Sequence, residues 1–146
     1  MENTQLHLRE NTFQGSFNFK RIVSDPELIV TGTAIFIKHD NNKVQYREEG
    51  HYTLNGTEYV CYQQQTFLLT TDTLIIQNNI GKTLHIFNVD NKNTKLQNTH
   101  ICKNDHYVID INIQSNDCFI TSYSVKGPKK NYSMMTTYKR MSHNFL

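Results

Sequence analysis

The chain has no long hydrophobic run of the kind that crosses a membrane, and its first residues do not show the pattern expected of a secretory signal. None of its stretches approaches the roughly 18 consecutive apolar residues that suggest a membrane-spanning helix. The first residues, MENTQLHLRENTF, contain no basic region followed by an apolar stretch, so no secretory signal is expected. The sequence therefore predicts a cytoplasmic protein without a membrane span.

Cysteine is scarce and irregularly spaced. The three cysteines, Cys61, Cys102 and Cys118, form neither an even-numbered disulfide framework nor a C-x-x-C metal pattern. We interpret them as reduced thiols in a reducing compartment.

Strong net charge is also absent, since the formal charge is only +2. This balance gives no reason to expect a nucleic-acid partner. Acidic residues are missing after Asp117, however, whereas basic residues continue. They are Lys126, Lys129, Lys130, Lys139 and Arg140. Either these side chains are ordinary solvated charges, or they give a cavity mouth a positive potential that favours an anionic ligand.

The 146 residues fit one domain, 1–146, with a bias toward aromatic and β-branched residues that favours strands. Alternating segments between turn signals such as Asn55-Gly56 predict about ten short strands. A single helical turn with Leu6 and Leu8 could precede them. An up-and-down order of ten strands closes most readily as an antiparallel barrel with room for a small ligand; an open sandwich is the alternative. The predicted strands cover about 15–24, 28–38, 44–49, 59–71, 73–77, 82–89, 95–102, 106–114, 118–126 and 132–140.

The inward faces of these strands are unusually polar. Alternate residues share a face, so the face that carries Ile109, Ile111 and Ile113 also carries Tyr107. Buried polar groups without partners cost about 1–3 kcal/mol each, so they must pair, be hydrated or meet a ligand. The predicted ligand-binding residues are Tyr46, Glu48, His85, His100, Tyr107, Lys130, Tyr132, Tyr138 and Arg140.

Three ordered motifs carry a resemblance that covers about residues 15–140. They are His100-x-Cys102-x-x-Asp105-x-Tyr107, Val125-x-Gly127-Pro128-x-Lys130-x-Tyr132 and Tyr138-x-Arg140. The chain resembles an uncharacterised family of calycin-like, lipocalin-like barrels of unknown function. Calycins usually pack an arginine of the last strand over a first-strand tryptophan. The resemblance implies that Arg140 takes this place over Phe17, since the chain has no tryptophan.

Several chemical sites compete with simple ligand binding. His85, His100 and Cys102 could approach the three ligands that zinc needs, and His85 or His100 could be the axial ligand of a haem. Structural histidines are the commoner explanation.

Cys102 lies two residues from His100, but parallel side chains on one strand face rarely form a nucleophile and base, and nothing here resembles a nucleophile elbow. Cys102 is therefore expected to be a small buried residue, and Asp105 to accept amides of the turn before it.

Glu48 could form a buried ion pair with Arg140 or Lys130, or it could join His100 and Tyr138 in binding a polar head or in acid–base chemistry. The Gly127-Pro128 segment is expected to be a rigid hairpin turn.

Three functions remain open from the sequence. The first is a small-molecule binding protein that holds an amphipathic or anionic ligand in a polar-lined barrel. The second is an isomerase or hydrolase that uses histidine and glutamate in the same cavity, and the third is an interaction or structural protein with a filled barrel.

Overall fold

A computed structural model describes residues 12–40, 42–89 and 94–142 of the chain. This part of the protein contains ten β-strands and essentially no helix. The strands are β1 (Gly15–Ser24), β2 (Glu27–Lys38), β3 (Lys43–Leu54), β4 (Thr57–Leu69), β5 (Thr73–Asn78), β6 (Thr83–Asn88), β7 (Lys95–Cys102), β8 (Asp105–Ser115), β9 (Cys118–Lys126) and β10 (Asn131–Arg140). The helical turn predicted around Leu6 and Leu8 lies outside the described residues.

All ten strands form one antiparallel sheet in the spatial order β6-β5-β4-β3-β2-β1-β10-β9-β8-β7. Consecutive strands therefore pair with each other except at β6 and β7, and the first strand pairs with the last, from Phe17 opposite Arg140 to Val23 opposite Met134. The sheet curls until its two edge strands, β6 and β7, lie against each other without a shared backbone ladder. We call this junction the seam. The predicted ten-strand, up-and-down antiparallel barrel is confirmed.

The barrel has two different ends, which the chemistry of their side chains distinguishes. At the end of β10 the Arg140 guanidinium lies 4.6 Å from the ring centre of Phe17. Arg140 also donates to the carbonyl oxygens of Gln14 and Asn116 and to the carboxylate of Asp117. These hydrogen bonds cover this end of the barrel, which we call the closed end. The short distance between the guanidinium and the Phe17 ring confirms the expected packing of Arg140 over Phe17.

A cluster of phenylalanine rings fills the barrel next to the closed end. Phe13 packs against Phe36, Phe67 and Phe119 with ring centres 5.4–5.6 Å apart, and Phe17 is also fully buried. Each buried side chain of this size contributes about 1.5–3 kcal/mol by leaving water, and tilted or edge-on ring pairs add to this. The rings on the strands are the inward members of the alternating pattern, so the hydrophobic core follows directly from the strand period.

The curl of the sheet depends on a pair of glycines at one place. Gly32 on β2 lies directly opposite Gly50 on β3. A Cβ atom at Gly32 would stand 1.9 Å from the carbonyl oxygen of Glu49, while one at Gly50 would meet Val30, Cys61 and the ring of Phe19. The missing side chains therefore let the backbones of the two strands approach more closely than a Cβ atom would allow.

The Asn55-Gly56 turn between β3 and β4 has the predicted geometry. Both residues have positive φ, 54° and 80°, as the tight primed turn of a two-residue hairpin requires.

Candidate functional site

The barrel contains a cavity of about 680 Å³ that extends from the phenylalanine cluster to the end opposite Arg140, which we call the open end. This volume lies within the roughly 300–1,000 Å³ range of small-molecule sites. The inner part is apolar, and its lining includes Phe13, Phe36, Phe67, Ile76, Ile109, Ile111 and Phe119. The remainder of the lining is mainly polar or aromatic and includes Arg21, Tyr46, Gln63, Gln65, Lys82, His85, His100, Tyr107, Tyr123, Tyr132, Thr136 and Tyr138.

A hydrogen-bonded ion pair lies in the wall of this cavity. Arg21 on β1 donates through Nη1 to Glu48 Oε2 at 2.7 Å and through Nη2 to Oε1 at 2.9 Å. Only 15% of the Arg21 side chain and 2% of the Glu48 side chain are exposed. The guanidinium also donates to Thr136 at 2.8 Å and to the Tyr138 hydroxyl at 3.4 Å. The two charges therefore neutralise each other in a place where either one alone would be costly.

Two tyrosines complete this network. The Tyr46 hydroxyl donates to Glu48 Oε1 and lies 3.0 Å from the Tyr138 hydroxyl. Because the single Tyr46 proton goes to the carboxylate, Tyr138 is the donor to Tyr46. We call Arg21, Tyr46, Glu48 and Tyr138 the deep network.

The deep network favours one protonation state. Burial raises the pKa of Tyr46, and the nearby Tyr138 and Glu48 raise it further. Burial also raises the pKa of Tyr138, although Arg21 opposes this. Burial by itself lowers the pKa of Arg21, but the hydrogen bond to Glu48 and the surrounding groups outweigh it and raise the pKa overall. Both phenols are therefore neutral and the guanidinium is charged across the ordinary pH range.

Aromatic rings surround the cavity toward the open end. Tyr107 lies 5.9 Å from the His100 ring and 6.3 Å from the Tyr123 ring, and His85 lies 6.2 Å from Tyr123. The Lys130 ammonium donates to the Tyr107 hydroxyl at 3.3 Å. These residues come from β6, β7, β8, β9 and the residue before β10, so five segments build the rim together.

Two of the sequence motifs meet at this rim. A Cβ atom at Gly127 would stand 1.9 Å from Oδ1 of Asp105, and the Lys130 ammonium lies 3.6 Å from Oδ2 of the same carboxylate. The backbone N–H of Gly127 donates to the Lys130 carbonyl at 2.7 Å. Gly127 therefore leaves room for Asp105 within the expected hairpin turn, and Asp105 and Tyr107 together position Lys130.

His85 on β6 is the least satisfied polar residue of the lining. Its Nδ1 atom is buried, and it is the one buried side-chain nitrogen or oxygen without a hydrogen-bond partner in the described part of the chain. Burial lowers the pKa of His85, a side-chain hydrogen bond with Asn98 opposes this, and His100 lowers it further. Asn98 and His100 both lie on β7, so groups across the seam influence the protonation of the His85 ring.

The structure brings most of the sequence-predicted site residues together. Six of the nine line the cavity, namely Tyr46, His85, His100, Tyr107, Tyr132 and Tyr138. Glu48 lies behind Tyr46, and Lys130 lies against Tyr107 at the rim. Arg140 was expected to line the cavity, but it covers the closed end, because it lies opposite Phe17 in the strand register and packs over that ring.

Two further expectations need correction. The buried ion pair of Glu48 was expected to form with Arg140 or Lys130, but its partner is Arg21, which faces it across β2. Cys102 was expected to be buried, but it is exposed at the rim of the cavity, because the end of β7 has no neighbouring strand on its outer edge.

The alternative chemistries find little support in this geometry. Within residues 12–40, 42–89 and 94–142, no cluster of three or more histidine, cysteine or acidic side chains could hold a metal ion. Glu48 accepts hydrogen bonds from Arg21 and Tyr46, both in the deep network, whereas His100 contacts Tyr107 at the rim. The predicted acid–base pairing of Glu48 with His100 therefore does not appear among the described contacts. Haem ligation by His85 or His100 stays a prediction.

Arg21 is not among the sequence-predicted site residues, although a signal for it exists. Arg21 follows Phe17 and Phe19 at intervals of two, so the alternation that buries those rings also turns Arg21 inward. Tyr123 was missed in the same way: it lies on the same face of β9 as the buried Phe119 and Val125, four and two residues away.

The fold and its cavity define a small antiparallel barrel with an internal site of ligand size. The chain belongs to a family of unknown function, DUF6314, whose model matches residues 13–140. This confirms the resemblance to an uncharacterised barrel family. A search of curated protein sequences found no match, and no helix of the described residues is long and apolar enough to cross a membrane.

Solved structures with the same fold are very different in sequence. The S-type phycobiliprotein lyase CPES from Guillardia theta is 9% identical with a TM-score of 0.72, over 98% of this chain and 96% of that chain. The structure of EF1p2_mFAP2b bound to DFHBI is 13% identical with a TM-score of 0.53, over 90% of this chain and 96% of that chain. A fluorescence-activating β-barrel designed de novo is 11% identical with a TM-score of 0.51, over 89% and 94%. At these identities the likeness shows the fold alone.

Proposed function

We propose that this protein binds a small amphipathic molecule with a negatively charged group inside the barrel. The observation that carries the proposal is the cavity of about 680 Å³ with an apolar inner part and a polar, aromatic outer part. A molecule with one apolar end and one polar end matches this gradient, because apolar area gains free energy on leaving water whereas polar groups need partners.

The charge of the lining supports an anionic ligand. Apart from Arg21, whose charge Glu48 neutralises, the basic groups of the lining among the described residues are Lys82, His85 and His100, and the lining contains no carboxylate. Glu48 is the acidic group of the deep network, and Arg21 already compensates it. A ligand anion therefore meets basic and hydrogen-bonding groups without a facing negative charge.

The fold neighbours add a consistent precedent for the architecture. One is named a phycobiliprotein lyase, and EF1p2_mFAP2b was solved with the small molecule DFHBI bound. These proteins use the same fold, so a ligand inside this barrel requires no rearrangement of its topology.

Two fluorescent dyes test this proposal. 8-Anilinonaphthalene-1-sulfonate is amphipathic and anionic, and N-phenyl-1-naphthylamine is its uncharged counterpart. We expect both dyes to bind the folded protein with saturable 1:1 stoichiometry, and the anionic dye to bind more tightly. Cooperative urea unfolding of the same samples distinguishes this from dye binding to a loosely packed state. Absence of saturable binding by either dye would favour a filled barrel.

A matched pair of variants locates the dye. Gln65 faces the cavity opposite Tyr46, whereas Gln64 lies on the outer face opposite Arg47. We expect Gln65→Trp to occupy part of the cavity and weaken dye binding at least tenfold, which is about 1.4 kcal/mol. Gln64→Trp adds the same bulk outside and leaves binding within twofold. Equal effects of the two substitutions would place the dye outside the barrel.

A further inference from the structure

The seam between β6 and β7 is the one place in the described barrel where neighbouring strands share no backbone ladder. The groups that cross it are side chains. His85 on β6 interacts with Asn98 and His100 on β7, and His85, His100 and Cys102 all line the cavity. Any ligand group that binds these residues at once therefore contacts both edges of the sheet.

Arg21 is the obvious receptor for an anion, but its charge is already used. The bidentate bonds to Glu48 and the bonds to Thr136 and Tyr138 occupy four of its five N–H groups. A second carboxylate or sulfonate next to Arg21 would lie close to Glu48 and be repelled by it.

His85 offers the opposite situation. Its buried Nδ1 has no partner, and such an unsatisfied group costs about 1–3 kcal/mol. A neutral imidazole carries one N–H donor, and the terminal χ2 torsion of a histidine is soft, so the half-buried ring can turn to present this N–H to the cavity. Lys82, which is exposed, lines the same cavity just before β6 and adds a positive charge.

We propose that the anionic oxygen of the ligand, whether carboxylate or sulfonate, binds at the seam to His85, with Lys82 and His100 beside it, and thereby links β6 to β7. This inference rests on the proposed function and specifies it. It assigns charge selection to the seam and leaves the deep network a structural role.

Dye binding to four variants tests the charge-selective part. We expect His85→Gln and Lys82→Gln each to weaken binding of the anilinonaphthalene sulfonate about tenfold, while binding of the uncharged naphthylamine changes less than twofold. His106→Gln, on the exposed outer side of β8, is the matched histidine control and changes neither affinity. Arg21→Lys, which keeps the charge of the deep network, is expected to affect both dyes alike.

Hydrogen exchange tests the link between the strands. We expect the sulfonate dye to slow amide exchange in β6 and β7 of the wild type more than the uncharged dye does, and to lose this effect in His85→Gln. Urea unfolding confirms that each variant is folded; if His85→Gln fails to fold, Lys82→Gln at the exposed rim provides the test.

The outcomes separate the two proposals. If neither dye binds the wild type, the proposed function fails. If both dyes bind but His85→Gln and Lys82→Gln leave the sulfonate dye unaffected or weaken both dyes equally, only the seam proposal is overturned. If Arg21→Lys selectively weakened binding of the sulfonate dye, the anion site would belong to the deep network, and the seam proposal would be overturned as well.

Discussion

The Glu48 carboxylate accepts two parallel hydrogen bonds from Arg21, at 2.7 and 2.9 Å, inside the wall of the barrel. The two residues lie on β3 and β1, and β2 stands between them in the sheet. Their bond therefore reaches across a strand, at the place where Gly32 and Gly50 let the sheet curl. The cavity wall and the curvature of the sheet are thus parts of one arrangement.

Removing Arg21 alone should cost more than replacing the whole ion pair. Arg21→Met leaves the Glu48 charge buried without compensation, and we expect a loss of about 3–5 kcal/mol in the free energy of unfolding. Arg21→Met/Glu48→Leu removes both charges and should lose less than Arg21→Met does. Urea denaturation of the two single variants and the double variant measures the coupling. If the two single losses simply add in the double variant, the pair is not coupled.

The stability of the protein should fall on mild acidification because of His85. Burial lowers the pKa of His85 below its ordinary value of 6.5, so the unfolded chain takes up this proton at a higher pH than the folded chain does. Stability attributable to His85 is therefore present above pH 6.5 and decreases as the pH falls toward the folded pKa. Asn98 and His100 on β7 and Tyr123 on β9 are the groups that face the ring.

Urea unfolding at about pH 7.5 and about pH 5.5, on either side of the ordinary histidine pKa, measures this effect. We expect the wild type to lose more stability between the two pH values than His85→Gln does, since glutamine does not titrate. An identical loss in both proteins would assign the acid sensitivity to other groups.

Arg140 should matter for stability and not for ligand binding. Arg140→Ala removes hydrogen bonds to Asn116 and Asp117 and the stacking over Phe17. A hydrogen bond that involves a charged group contributes about 1.5–3 kcal/mol to stability. We expect a lower thermal midpoint with dye affinity within twofold of the wild type, measured by calorimetry and fluorescence. Arg140→Lys keeps the charge but lacks the planar fork, so it should recover only part of the midpoint.

Two glycines should differ sharply in their tolerance of alanine. A Cβ atom at Gly32 collides with the Glu49 backbone, whereas one at Gly56 has open space around it and meets only the strain of a positive φ. We expect Gly56→Ala to cost about 1–2 kcal/mol and Gly32→Ala more than about 4 kcal/mol. Denaturation midpoints, or the soluble yield if Gly32→Ala does not fold, provide the comparison. Similar losses for both would mean that β2 and β3 can separate easily.

Most of the fold could be predicted because it depends on local signals. Alternation and turn residues such as Asn55-Gly56 place ten strands in chain order, and an up-and-down barrel needs no long crossover. The inward faces of β8 and β10 follow from the same alternation, which is why Tyr107, Tyr132 and Tyr138 were identified correctly as cavity residues.

The partners of the polar residues could not be predicted with the same methods. Alternation says that Glu48 points inward, but the choice of Arg21 over Arg140 depends on the height of each residue along the barrel. That height is set by the registers of several strand pairs together. Examples are the β1–β10 pair, in which Phe17 lies opposite Arg140, and the β2–β3 pair, in which Ala34 lies opposite Glu48. A register is a property of pairs of strands, and a single strand does not contain it.

Because the seam has no backbone ladder, the order of the strands along the chain can be changed by circular permutation. β1 and β10 lie side by side, and the Thr12 carbonyl lies beside Arg140, so a short peptide could join Thr12 and Met141 and keep Phe13, while new ends are cut between Val89 and Thr94. Such a circular permutant breaks no ladder, because β6 and β7 have none between them, and it keeps every remaining hairpin covalent. The permuted chain would then begin with β7 and end with β6, and its two ends would lie at the closed end of the barrel, next to Asp72 and Ile113 and away from the rim where we place the charged end of the ligand.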